Sequence, residues 1–429
     1  MLPDFDQVRT HHLGPARFLS PLARSRPTFV DDERVLLPST LGQLQPYLQA
    51  AQPPPAFEMA GPRREIFFDP GEIACGILTC GGLCPGINDV VRSVTLTLTY
   101  GYGMRRIYGF RYGFAGLAAS NNLEPMLLTP SVVEDIHTKG GTLLGSSRGP
   151  QEIGDMVEML QRLGVKVLFA VGGDGTLRGA SALAQEILRR GLEIAVVGIP
   201  KTIDNDLQWI ERSFGFATAV EEATRALEAA HAEARGALGG VGLVKLMGRH
   251  SGFITAHASL ANSDVNFCLV PEVSFRLGAF LEALERRLRE RSHAVVAVAE
   301  GAAQEMLQVG GERDASGNLR LGDVGLFLRG EINRYLRERG VEFSVKYIDP
   351  SYIIRGVAAN AADSEYCLAL GQYAVHAGMA GRTDVMVGYW NRHFTHVPIA
   401  LATAQRKQID PGGELWQQVL GATGQPDMS

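Results

Sequence analysis

From Glu72 onward, short apolar runs ending in glycine alternate with stretches of helical periodicity. That is the pattern of a parallel sheet with helices on both faces. Ile73–Leu78, Val165–Val171, Ile194–Ile199, Val241–Met247, Ala294–Ala299 and Phe343–Ile348 are predicted to be strands. Glu221–Arg235, rich in Ala and Glu, is predicted to be a long helix able to bridge two lobes. Residues 1 to about 65 lack the alternation and carry Gln52-Pro53-Pro54-Pro55, so they read as an N-terminal extension. The expected fold class is α/β, with two Rossmann-like lobes and mainly parallel sheets. No internal repeat is visible.

In open parallel sheets, loops and helix N-termini converge beyond the carboxyl ends of the strands and offer free amides. The unusual segments of this chain fall at those places. Gly172-Gly173-Asp174-Gly175-Thr176 closes one apolar run, and Pro200-Lys201-Thr202-Ile203-Asp204-Asn205-Asp206 follows the next. Amides beside glycines can approach a polyphosphate closely, Asp174 can hold a divalent cation, and the second loop can supply a proton acceptor. Asp204 and Asp206 are two apart and would share one side of an extended chain, one taking a hydroxyl proton while the other organises metal or water. Lys201 adds a cation. The pair of loops points to phosphoryl transfer, set against the plainer reading of an Asp/Asn-rich surface turn.

Two further loops bear on this chemistry. Thr79–Asp89 leads a strand into an apolar helix, with amides able to face a terminal phosphate, and reads equally as an ordinary tight turn. Gly140–Gly149 adds hydroxyls and Arg148, suited to a phosphate, a stacked base or a surface ion pair.

A length of 429 residues, 45% apolar and 20% charged, allows a large core and two or more lobes. A net charge of -5 gives no global basic field, so nucleic acid is not an expected partner and any anion site is local. No apolar run approaches the roughly 20 residues of a membrane span, and the opening MLPDFDQVRTHH lacks the regions of a signal peptide. A cytoplasmic protein without a membrane partner is expected. The 5 cysteines are too few and uneven for a disulfide framework, which predicts reduced thiols. Cys80 and Cys84 have no matching Cys/His pair at finger spacing, so zinc is not expected.

The segments GGLCPGIN, GGTLLGSSRG, GGDGT, PKTIDND, KLMGR, Ala299-Glu300-Gly301 and Lys346–Arg355 occur in that order within residues of about 72 to 390. Together they resemble the 6-phosphofructokinase family. The resemblance implies the phosphofructokinase fold, ATP and fructose 6-phosphate as partners, Mg2+ as cofactor, and a homo-oligomer, dimer or tetramer. It implies that Asp204 accepts the proton of the sugar 1-hydroxyl, with Lys201 and Arg249 as cations at the reacting phosphate. Gly82, Arg148, Gly149, Gly173, Asp174, Gly175 and Thr176 would face ATP, with Asp174 holding the metal. Thr202, Ile203, Met247, Gly248 and Glu300 would join Asp204 and Arg249 at the substrate. Lys346, Tyr352 and Arg355 would grip the 6-phosphate, Lys346 with the option of reaching in from a neighbouring subunit. The corresponding division is an extension at 1–65, a donor lobe at 66–215 plus 357–405, a sugar lobe at 216–356 and a tail at 406–429.

Three departures from the common bacterial pattern qualify the donor. Lys201 stands where typical ATP-using members have glycine and Tyr352 where they have histidine, and both features resemble pyrophosphate-using relatives. Gly175 points the other way, because an aspartate there would repel the α-phosphate of a nucleotide. Gly175 with Lys201 resembles the atypical ATP-dependent branch called clade X. Gly240, seven residues before Met247, replaces a 6-phosphate arginine, so that contact is absent or replaced. The expected reaction is ATP-dependent phosphorylation of fructose 6-phosphate. A pyrophosphate-dependent enzyme is the alternative. A kinase for NAD or lipids would share GGDGT alone, and a nucleotide-sensing subunit without catalysis would not need Asp174, Asp204 and Asp206 together.

Overall fold

The structure, a computed structural model, describes residues 2–25, 28–307 and 320–429. Its parallel frame comprises, in chain order, β1 (Ala74–Thr79), β2 (Ile107–Phe110), β3 (Val165–Gly172), β4 (Ala195–Pro200), β5 (Gly240–Leu246), β6 (Phe267–Leu269), β7 (His293–Ala299), β8 (Ser344–Ile348) and β9 (Val385–Trp390). Every strand predicted from the sequence is present, with no end displaced by more than one residue. Contacts divide the chain into two units. The first contains residues up to Thr202, Leu207–Gly215 and Val357–Gln405; the second contains Ile203–Asp206, Phe216–Gly356 and Arg406–Ser429.

In the first unit, β9, β4, β3, β1 and β2 lie side by side and parallel, in that order. Successive connections therefore run outward in opposite directions from β1 and β3, the switch point at which doubly wound sheets bind ligands. Helices cover both faces, which is why Val167, Leu168, Phe169 and Ala170 are all fully buried despite alternating direction along β3.

The supposed N-terminal extension belongs to this unit. Arg34–Leu36 and Ala56–Met59 are antiparallel strands at the edge of the same sheet, and Val8, Leu37 and Phe57 share a core with Leu168 and Met386. Strands this short leave no readable periodicity, so the sequence pattern missed them. The buried Glu58 fastens the edge, pairing with Arg63 at 2.8 Å, His396 at 3.4 Å, His12 at 3.6 Å and also Arg382. Burial opposes its ionisation, yet the close approach of the His12 and His396 imidazoles and the charge of Arg382 hold its carboxyl far below the usual range.

The second unit is built on four parallel strands in the order β6, β7, β5, β8. The long helix spans Phe216–Arg235, lies wholly in this unit and packs on β5, rather than bridging to the other unit. Glycines on β5 permit that packing: an added Cβ would come within 2.6 Å of the Ala230 carbonyl oxygen at Gly242 and within 1.9 Å of the Ala234 oxygen at Gly240. The expected tail is also integral to this unit. Its helix Glu414–Thr423 packs on the helix Phe253–Ala261, with Trp416 and Val419 buried beside Phe253 and Cys268. Among the described residues, no helix is long and apolar enough to cross a membrane.

Candidate active site

The glycine-rich loops of the first unit meet at the carboxyl ends of β1, β3 and β4. Gly81 donates its amide to the Ser147 carbonyl at 3.2 Å, and Thr79 Oγ1 donates to the Gly145 carbonyl at 2.7 Å. Lys201 joins two more loops, its amide donating to Gly172 at 2.9 Å and its Nζ to the Gly82 carbonyl at 2.7 Å. Arg148 is exposed, with Nη2 3.6 Å from where a Cβ on Gly82 would lie. Gly149 is exposed too, at a φ of 99°. The sequence-predicted phosphate loops are therefore one assembly.

The helix Asp174–Arg189 starts directly after β3, with Gly173 as its N-cap, so amides and the positive end of the helix dipole face outward at the switch point. Thr176 folds back and is buried against Gly172, where a Cβ would lie only 2.3 Å from the threonine side chain. Gly175 is exposed, and nothing lies within 4 Å of an added Cβ, so the space beside the loop is open. Asp174 pairs with Arg178 at 3.0 Å. Among the described residues no three His, Cys, Asp or Glu side chains form a metal cluster. A cation here would share Asp174 with the phosphates of a ligand, the usual arrangement for Mg2+. Cys84 and Cys80 are buried in the loop packing, where the Cys80 sulfur accepts the Phe114 amide at 3.3 Å.

In the second unit, functional side chains collect at the carboxyl ends of the neighbours β7, β5 and β8. Glu300 donates its amide to Leu246 at 2.8 Å and Gly301 to Gly248 at 3.1 Å, fastening the turn after β7 to Met247-Gly248-Arg249. Glycine is required at Gly301, since a Cβ would sit 2.0 Å from the Arg249 carbonyl oxygen. Arg355 Nε lies 3.0 Å from Met247 Sδ. Lys245 bridges Asp323 and Asp349 at 2.9 Å each and thereby ties down the turn before the helix Ser351–Gly356, which carries Tyr352 and Arg355.

Asp204 and Asp206 are not arranged as the extended reading expected. Asn205 is left-handed, with φ 53°, a conformation its short polar side chain tolerates, and the chain turns there. Asp206 pairs with Arg406. Asp204 is half-buried, and its carboxyl is pushed up to about 7, first by removal from water and then by the charges of Asp206 and Glu300, against Arg355 and Arg406. Burial also raises Glu300, opposed by Arg355, Arg249 and Lys245. A carboxylate that gains its charge near neutral pH is suited to general-base work.

The other expected residues have these places. Lys346 is exposed and in register with Gly242, five residues before Met247, which places it roughly 16 Å back along the sheet. Tyr352 is 87% exposed. Gly240 has no room for any side chain, so the missing arginine is excluded by the approach of Ala234. Thr202 ends the first unit, its carbonyl accepting the Ser213 hydroxyl, while the buried Ile203 begins the Ile203–Asp206 segment of the second. Sequence reasoning assigned no role to Lys245, although it lies within KLMGR, and none to Arg406, whose distance in sequence from Asp206 leaves no local signal.

A doubly wound unit with glycine loops and a helix N-terminus for phosphates, and a second unit with a basic carboxylate among guanidiniums, define an α/β phosphotransferase. The family model for phosphofructokinase matches residues 74–378, and the chain belongs to that family. It is 48% identical over 438 residues to an ATP-dependent 6-phosphofructokinase of Amycolatopsis methanolica, covering 98% of this chain and 95% of that protein. An ATP-dependent 6-phosphofructokinase of Borreliella burgdorferi is 49% identical over 379 residues, covering 86% of this chain and 85% of its own length. Among solved structures, a pyrophosphate-dependent phosphofructokinase from Marinobacter aquaeolei shares the fold with a TM-score of 0.68 at 22% identity, over 83% of this chain and 92% of that one.

Proposed function

We propose that this protein is a cytoplasmic ATP-dependent 6-phosphofructokinase, which transfers the γ-phosphate of ATP to the 1-hydroxyl of fructose 6-phosphate, giving fructose 1,6-bisphosphate and ADP. The reaction is a step of glycolysis. The observation that carries the chemistry is Asp204: a half-buried carboxyl pushed up to about 7 and flanked by Arg355 and Arg406. It takes the hydroxyl proton as the sugar oxygen attacks phosphorus and the bond to ADP breaks. Lys201 and Arg249 offset charge on the transferred group, and the amides of Gly173 to Thr176 hold the donor phosphates. Lys201 and Asp204 are three residues apart, so the chain itself keeps their backbones within about 11 Å. Asp174 is the residue that would hold Mg2+, which when bound neutralises charge on the donor phosphates.

Met247, Glu300 and Arg355 bind the sugar phosphate in this reading. Lys346 serves the site of a second copy, and the enzyme is a homo-oligomer. The choice of ATP follows the two relatives whose names specify it, together with the open space at Gly175. Pyrophosphate is the second reading, favoured by the charge of Lys201 beside the Gly81-Gly82 loop. Purified protein assayed with fructose 6-phosphate, Mg2+ and either donor decides between them. Turnover with ATP and its loss by at least about 10²-fold in Asp204→Ser, with KM little changed, is the expected result. Turnover with pyrophosphate alone would reverse the donor, and near wild-type turnover in Asp204→Ser would remove the base.

A further inference from the structure

The last segment of the second unit starts as a strap across the turn that carries the base. Arg406 Nη1 pairs with Asp206 Oδ2, and the Lys407 amide donates to the Asp206 carbonyl at 2.8 Å. Farther along, Gln408 Nε2 donates to the His250 carbonyl at 3.0 Å and the Ile409 amide to Glu272 Oε1 at 3.0 Å. The same Glu272 carboxylate accepts the Gly252 amide at 3.0 Å, and Ser251 Oγ donates to the Asp204 carbonyl at 3.4 Å. Arg406–Ile409 thus ties together two turns, Ile203–Asp206 and the one following Arg249. The helix Glu414–Thr423, through the buried Trp416 and Val419, anchors its far end.

Asp206 is only 5% exposed, so its charge depends on a partner within the protein. With one residue between them, and that residue left-handed, Asp204 and Asp206 share a single backbone turn, and fixing one orients the other. We propose that Arg406 is a positioning residue for proton abstraction, holding the Ile203–Asp206 turn through Asp206 so that the Asp204 carboxylate is aimed at the substrate hydroxyl. This rests on Asp204 being the base of the proposed reaction. Among the charged groups facing Asp204 are Asp206 and Glu300, which oppose its ionisation, and Arg355 and Arg406, which favour it. Removing Arg406 leaves the two carboxylates less compensated, so the base should need a higher pH as well as being less well aimed.

The test compares wild type, Arg406→Gln, Arg406→Lys and Arg406→Gln/Asp206→Asn in the full-length protein. Two readouts are taken: kcat/KM for fructose 6-phosphate against pH, and hydrogen exchange of the peptide containing Ile203–Asp206 without substrate. Arg406→Gln should lower kcat roughly 10- to 100-fold and move the acid limb up by about half a pH unit or more, with KM for ATP unchanged. The lysine variant and the double variant should return the limb towards wild type, and exchange should rise in Arg406→Gln. A loss that is uniform across pH and not recovered by lysine means a purely structural role and overturns the proposal, as does an unmoved profile. Wild type inactive with either donor would instead overturn the reaction; unchanged exchange in Arg406→Gln then overturns the clamp independently.

Discussion

Replacing Asp204, the proposed base, should stabilise the protein, and by more at pH 8 than at pH 5. In the folded state the Asp204 carboxyl is pushed from an ordinary 3.8 to about 7. Between those values the folded chain holds a proton that the unfolded chain has lost, so stability falls as pH rises through the window and the full cost is reached above pH 7. At 1.36 kcal/mol for each pKa unit, the full cost is about 4 kcal/mol, of which less than about 2 kcal/mol is already present at pH 5. Asp204→Asn keeps the shape and removes the titration. Its advantage over wild type should therefore grow by about 3 kcal/mol between pH 5 and pH 8, or about 6–12 °C in Tm for a domain of 150–250 residues. Calorimetric or fluorescence melting at fixed ionic strength measures this, with the exposed Asp4→Asn as a control for net charge. An advantage that is the same at both pH values, or larger at pH 5, would refute the account of Asp204.

The same titration predicts that wild-type kcat/KM falls about tenfold per pH unit below about 7, read from a pH profile with both substrates. Gly175→Asp should leave Tm unchanged, because the added side chain enters open space, while raising KM for ATP roughly tenfold through repulsion of the nucleotide phosphates. Gly240→Arg should not restore a sugar-phosphate contact and should cost about 3 kcal/mol or more in denaturant unfolding, because its Cβ meets the Ala234 carbonyl oxygen at 1.9 Å. Glu58→Gln should cost about 3–5 kcal/mol at pH 7 by leaving Arg63 and Arg382 less compensated. Because the Glu58 carboxyl lies below its ordinary 4.5, its contribution is complete above that pH and is lost on acidification, so the gap between wild type and variant should narrow in melts below pH 4.5.

What the sequence made legible follows from how each feature is encoded. Apart from β8, where Lys346 is exposed, the parallel strands are largely buried on two faces and so appear as mainly apolar runs, and the glycines after β1 and β3 mark where backbone must approach backbone or ligand. Short edge strands such as Ala56–Met59 have no such run, and their place depends on pairing with His393–Pro398 far along the chain. The turn at Asn205 was illegible for a related reason: asparagine permits the left-handed conformation without demanding it, and the partner that turns Asp206 aside is 200 residues away. Charge carried the sites only partly. Lys346 and Tyr352 read as phosphate ligands by their motif; in the fold Lys346 lies in register with Gly242, five residues before Met247, while Tyr352 is exposed on the helix that also carries Arg355.

Lys201 illustrates why a residue type alone does not settle the donor. As a sequence feature it is a positive charge in a phosphate loop. In the structure it is 6% exposed, its amide closes onto Gly172, and its ammonium donates to the Gly82 carbonyl. Those bonds join the loops after β1, β3 and β4, so the lysine is part of the cradle whichever donor occupies it, and its charge attracts pyrophosphate and the terminal phosphates of ATP alike. Selectivity between the two requires a group that distinguishes what lies beyond the transferred phosphates. Gly175 is placed for that: exposed on the first turn of the Asp174–Arg189 helix, it leaves open the space into which an aspartate would project its charge. The lysine thus fixes the loops, and in the proposed reaction it would supply charge common to both donors while the open space at Gly175 would admit the larger one.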